Sequence, residues 1–267
     1  MTNYNPPFGF NPKIIDLVEK IGEAFGMSDS PQLRRSNRIR TIQASLEIEN
    51  NTLTIEQVTA VLDGKRVLGL PREIKEVQNA FIAYEQMNQW QADNYEHLLQ
   101  AHAVLMEALL DHPGKLRTSG VGIYRGDTLV HMPPPASQIS RLMNQLLNWL
   151  KSKTTHPLIA SCIFHYEFEF IHPFADGNGR IGRLWQTLIL SKWKPILAYL
   201  PVETVIRDKQ TAYYEALLES DKAANSTIFV QFMLQSLLTA IKQVAPTNEQ
   251  LLLFEYQNPL VSKPHKE

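Results

Sequence analysis

Apolar residues recur at helical spacing along almost the whole chain, and one segment alone breaks that rhythm. A chain patterned this way can bury its apolar stripes only by packing helix on helix. The runs predict helices over 13–25, 36–49, 54–62, 72–89, 95–110, 137–151, 157–170, 209–220 and 226–244. The third opens on Thr54-x-x-Gln57, a capping-box pattern, and the fourth starts just after Pro71. The exception is 121–132, where two short runs flank Gly126-Asp127 and Pro133-Pro134-Pro135 follows. That pattern predicts a hairpin on a turn that takes positive φ. Two strands alone are marginal, so the hairpin must lie against something.

One twelve-residue stretch carries the chemistry. Residues 172–183 read His172-Pro173-Phe174-Ala175-Asp176-Gly177-Asn178-Gly179-Arg180-Ile181-Gly182-Arg183, directly ahead of the apolar run 184–190. The glycine-rich turn therefore sits at a helix N-terminus, where free N–H groups and the dipole favour an anion. Glycines on either side of Asn178 allow positive φ and close approach of phosphate oxygens. Asp176 is a hard oxygen ligand of the kind that shares Mg²⁺ with substrate phosphates. Arg180 and Arg183 bring forked, permanently charged donors suited to phosphate. His172 can accept a proton near neutral pH. Each feature alone is common in ordinary structure; their order is not.

In these residues the chain resembles the Fic family, whose signature is His-Pro-Phe-x-Asp/Glu-Gly-Asn-Gly-Arg-x-x-Arg. Every specified position is matched, with Ala175 at the free one. The resemblance spans roughly 30–245 and is strongest over 156–190. It implies an all-α fold, a Fic-type helical bundle with a small β-hairpin flap beside the active site. It also implies a protein adenylyltransferase that moves AMP from ATP to a Ser, Thr or Tyr hydroxyl of a target protein, with ATP as substrate and Mg²⁺ as cofactor. On that resemblance His172 would deprotonate the target hydroxyl and Asp176 would hold Mg²⁺. Gly177, Asn178 and Gly179 would cradle the α- and β-phosphates, Arg180 would support them, and Arg183 would hold the γ-phosphate. Tyr214 would contact adenine. Position 221, a polar amide facing the base in some relatives, is Asp221 here.

A second segment, Ser45-Leu46-Glu47-Ile48-Glu49-Asn50, resembles the family's inhibitory motif Ser/Thr-x-x-x-Glu-Gly/Asn at Ser45, Glu49 and Asn50. It implies that Glu49 pairs with Arg183, takes the γ-phosphate position and restrains the enzyme. The organisation then expected is an N-terminal helical region at 1–95 with its inhibitory helix at about 36–50, a catalytic core at 96–245, and a tail at 246–267. Target peptides would dock on the flap, 121–132. Contact between copies of the chain, as a homo-oligomer, would regulate access of Glu49 to Arg183.

Composition excludes more than it suggests. With 26 Lys+Arg against 27 Asp+Glu, net charge is −1, which offers no surface for nucleic acid or an anionic membrane. No apolar stretch approaches the roughly 18 residues of a membrane span, and residues 1–7 lack signal-peptide character. The single cysteine, Cys162, cannot form an internal disulfide; it lies in an apolar run and fits a reducing compartment, so a cytoplasmic location is expected. Two rival readings stay open. The same site could remove AMP, or transfer phosphate or another nucleotide. From another class, His165, Glu169 and His172 at i, i+4 and i+7 could form the face of a metal-dependent hydrolase, although that leaves the glycines and arginines unused.

Overall fold

The computed structural model describes residues 4–24, 31–125 and 128–244. At its centre lie α7 (Pro157–Ile171) and α8 (Asn178–Trp193), packed on each other. Both are buried nearly all round, from Leu158 to Phe168 and from Arg180 to Ser191, as helices without a polar face must be. Helices α6 (Ala136–Ser152) and α11 (Thr227–Val244) cover α7, and α5 (Tyr95–Leu105) bridges α8 and α6. The first part of the chain wraps this centre. Helix α1 (Pro12–Glu23) lies on α11, and α3 (Ile55–Leu62) packs on α4 (Pro71–Gln86), which in turn packs on α5. Helix α2 (Pro31–Ile48) packs along α9 (Val202–Asp208) and reaches α8, while α10 (Gln210–Ala223) lies on α11. One apolar cluster runs from Ile14 to Val244, so the residues before and after 95 share a core.

Several boundaries differ from those the pattern predicts. Helix α2 begins at Pro31 rather than 36, because proline's fixed φ suits a first helical turn. Helix α4 tightens into a 3₁₀ turn at Met87–Gln89. Helix α5 stops at Leu105, short of 110, and Ala108 takes φ 57° in the turn that follows. A 3₁₀ turn at Pro195–Tyr199 and α9 were not foreseen; both are too short to show a period, yet Leu197, Val202, Val205 and Ile206 are buried. Thr54 does form its capping box with Gln57.

The expected hairpin is present, with β1 (Ile123–Arg125) antiparallel to β2 (Thr128–His131) and Ile123 opposite His131. Its turn, 126–127, lies outside the described residues, as do Phe25 and the expected tail at 246–267. Strand β2 rests on α10, which supplies the support an isolated hairpin needs. Cys162 is fully buried and donates to the Leu158 carbonyl at 3.3 Å, and burial pushes its thiol up to about 12. No helix among the described residues is long and apolar enough to cross a membrane.

Candidate active site

The loop between α7 and α8 is built by groups that fix its backbone. Helix α7 ends on His172, which takes the left-handed conformation (φ 49°) while its N–H still bonds to the Phe168 carbonyl. Such a φ is strained for a residue with a Cβ and persists only where surroundings enforce it. Here Arg117 does so. It is 5 % exposed, and its guanidinium donates to the carbonyls of His172 (2.7 Å), Ser119 (2.8 Å) and Pro134 (2.6 Å). Phe174 is buried and stacked on His102, with ring centroids 3.6 Å apart. The Nδ1 of His102 accepts from Gly114 N–H, so its Nε2 carries the proton and donates to the Asp176 carbonyl at 3.0 Å. Asn178 turns inward: its side chain accepts from Phe174 N–H and donates to the Phe174 carbonyl, both at 2.9 Å. Only its backbone remains for an anion. Gly177 sits at φ 83°, and a Cβ there would meet Met106 Sδ at 2.6 Å.

His172 and its neighbours are tuned by burial. Burial drives the His172 imidazole down to about 4, so at pH 7 it is neutral and its ring can accept a proton. Its Nδ1 has no hydrogen-bond partner among the described residues and lies 3.9 Å from the Glu169 carboxylate. Burial likewise lifts Glu169 to about 7. His165, the other histidine on this face, uses its ring nitrogens on Gln186 (2.7 Å) and Tyr213 (3.1 Å). The hydrolase face at 165, 169 and 172 is therefore not assembled: His165 is a core histidine, 3.8 Å from Glu169.

Arg183 reaches from α8 to the end of α2. Its Nε donates to Ser45 Oγ at 3.0 Å, and one terminal nitrogen donates to the Ser45 carbonyl (2.9 Å) and to Glu49 Oε1 (2.7 Å). Burial alone would weaken its hold on its proton, but the Glu49 carboxylate reverses this and raises its pKa. Asn50 follows at φ 68°, and Asn51 N–H returns to the Leu46 carbonyl, so the helix ends in a left-handed cap. That explains why Gly or Asn follows the glutamate. Gly179 makes the approach feasible, since a Cβ there would collide with Glu49 Oε1 and lie 2.9 Å from the Arg183 guanidinium.

Asp176 and Arg180 form a separate pair. Asp176 Oδ1 accepts from Gly177 N–H (2.6 Å) and Arg180 (2.9 Å), and its Oδ2 meets Arg72 at 3.2 Å. Arg180 also contacts Glu76 at 3.1 Å. No trio of His, Cys, Asp or Glu among the described residues is placed to cage a metal. Mg²⁺ does not demand one, because it takes one or two carboxylates and fills its shell with water and phosphate. Asp176 is 39 % exposed and its Arg72 partner 61 %, so that donor set fits a cation shared with a substrate.

His172, Gly179, Arg183, Glu49 and Tyr214 all line one cavity of about 560 Å³. On the wall of the same cavity His131 of β2 faces Asp221 Oδ2 through Nδ1 (2.7 Å) and the Phe170 carbonyl through Nε2 (2.8 Å). Burial opposes its charge, but bonds to Asp221 and Phe170 prevail and raise its pKa. With an acceptor at each nitrogen, this histidine is suited to carry both protons.

The Fic/DOC family model matches residues 92–190. A solved Fic family protein from Desulfovibrio desulfuricans G20 is 61 % identical, with TM-score 0.87, and the match covers 90 % of this chain and 76 % of that one. The chain belongs to the Fic family. The fold is shared further by Fic-1 (aa 134–508) of C. elegans, at TM-score 0.69 and 21 % identity over 92 % of this chain and 73 % of that one. The protein adenylyltransferase Fic of Drosophila virilis is 29 % identical over 236 residues, 83 % of this chain and 46 % of that protein. This Fic chain thus spans about half the length of that curated relative.

Sequence reasoning alone missed several contributors. Arg117 carries no local signal, since its partners are backbone carbonyls distant in sequence. Glu76 and His102 are equally silent, being placed by α4 and α5. Glu169 was visible only as a helical-face neighbour of His172, and His131 only as part of the hairpin.

Proposed function

We propose that this Fic chain is a protein adenylyltransferase, transferring AMP from ATP to a hydroxyl of a protein substrate, and that Glu49 restrains it. What carries the proposal is the convergence on one cavity of a neutral base, His172, with Arg183 and Gly179. His172 accepts the hydroxyl proton as the oxygen attacks the α-phosphorus and pyrophosphate departs. The N–H groups at the start of α8 hold the phosphates, and Arg183, once released by Glu49, holds the γ-phosphate and so aligns ATP for in-line attack. Asp176 is the residue that would hold Mg²⁺, and the cation would neutralise phosphate charge. Tyr214, 40 % exposed on the cavity wall, packs on the base. The hairpin seats the target segment as an added strand, and the protein acts in the cytoplasm.

Glu49 occupies Arg183 through the charge-assisted bond that a phosphate would make, so carboxylate and γ-phosphate compete for one guanidinium. Intact-mass analysis after incubation with ATP and Mg²⁺ tests the chemistry. A Glu49→Gly chain is expected to gain one AMP unit, on itself or on an added protein, and Glu49→Gly/His172→Ala is expected to gain none while still binding ATP. An adduct of equal yield in the double variant would overturn the role given to His172.

A further inference from the structure

We propose that a second site, on α2 away from the active-site cavity, binds a phosphate-class anion carried on a flat or apolar body. The site is a pocket of about 240 Å³ between α2, α4 and the Pro195–Tyr199 turn, lined by Arg34, Arg35, Arg38, Leu62, Phe81 and Tyr199 among others. Its anchor is Arg38. This residue is 6 % exposed, and its Nε and Nη1, both shut off from solvent, have no hydrogen-bond partner among the described residues. Its guanidinium lies over Tyr84 (4.7 Å) and Tyr199 (5.1 Å). Ring contacts of that kind engage the faces of the guanidinium and leave its in-plane N–H donors unspent. A buried guanidinium with unspent donors is costly unless an acceptor joins it.

The surrounding charges favour an anion. Arg34 lies over the Tyr199 ring at 5.4 Å, and Arg35 is tied to Asp63 at 2.6 Å. Glu85 also lines the pocket, from an exposed position, and the buried Glu203 of α9 is near enough to Arg38 to feel its charge. Glu203 is held by Tyr84 (3.2 Å), and no ion pair joins it to Arg38. Leu62 and Phe81 supply the apolar wall on which the body of the ligand packs. An occupant joining Arg34 and Arg38 to the Tyr199 turn would hold α2 in place roughly 16 Å along the helix from Glu49. The Thr41 and Thr204 hydroxyls on the same α2–α9 seam also lack partners among the described residues, so buried water is the competing occupant.

Titration calorimetry with phenyl phosphate and with inorganic phosphate separates these outcomes, and none depends on the transferase reading. Phenyl phosphate is expected to bind the wild-type chain at least about tenfold more tightly than inorganic phosphate, through packing on Phe81 and Leu62. Arg38→Lys, which keeps the charge and loses the fork, is expected to weaken phenyl phosphate at least about tenfold. Arg34→Gln, at a partly exposed position that leaves the core intact, provides the same test if Arg38→Lys does not fold. Equal affinity for the two probes overturns the apolar body. No binding, or binding unchanged in a folded variant, overturns the site and leaves water as its occupant.

Discussion

Removing the Glu49 carboxylate should release Arg183, and the geometry sets the size of the effect. The contact is one charge-assisted hydrogen bond of 2.7 Å between a 2 % exposed guanidinium and a 30 % exposed carboxylate. Bonds of this class contribute about 1.5–3 kcal/mol net, and partial solvation of Glu49 places this one near 2 kcal/mol. At about 1.4 kcal/mol per tenfold, Arg183 becomes available roughly 30 times more often. The AMP-transfer rate of Glu49→Gly should therefore rise by one to two orders of magnitude, read as adduct formed per minute by intact mass. Glu49→Gln, which keeps a neutral acceptor, should lie between. The same loss should lower Tm by roughly 4 °C, since a chain of this size loses a few degrees per kcal/mol. Ser45 still holds Arg183 through two contacts, so the fold should survive. Equal rates in wild type and Glu49→Gly, with the Tm drop present, would refute the restraint while leaving the ion pair in place.

Three further outcomes follow from the buried groups. Because burial holds His172 near 4, kcat/KM of the Glu49→Gly chain should stay level on acidification through pH 6.5 and fall only as pH approaches about 4; a midpoint near 6.5 would show the base to be solvated. Glu203 is fully buried and its pKa is lifted by that burial to about 7, so the folded state holds its proton where the unfolded state has lost it, and this site's contribution declines from about pH 4.5 to 7. Glu203→Gln is flat in that window, so its Tm relative to wild type should climb between pH 5 and 8 in thermal melts; a constant difference would count against the shift. Arg117→Ala removes the side-chain donors to the Ile171 and His172 carbonyls, so urea melts should show a loss of about 3 kcal/mol or more together with loss of transfer; a change under about 1 kcal/mol would mean the turn holds itself.

The sequence alone determined the elements whose physics is local. Helical periodicity made the chain all-α, Thr54 and Gln57 capped α3, and the apolar run around Cys162 placed it in the core. The run from His172 to Arg183 determined a glycine turn entering a helix, because only that spacing puts Gly177 at positive φ ahead of α8. The helix predicted to end at 49 does end at Ile48, and Asn50 takes the left-handed cap that follows.

Tertiary structure decided whatever depends on two distant segments meeting. Ser45 and Glu49 reach Arg183 only because α2 packs against α8 and α9, and Gly179 leaves room for the carboxylate. The low pKa of His172 exists because neighbouring elements exclude water from it, and its strained φ persists because Arg117 grips the carbonyl. Burial and backbone partnership arise when elements pack, and neither leaves a periodicity or a spacing in the chain for a reader to find.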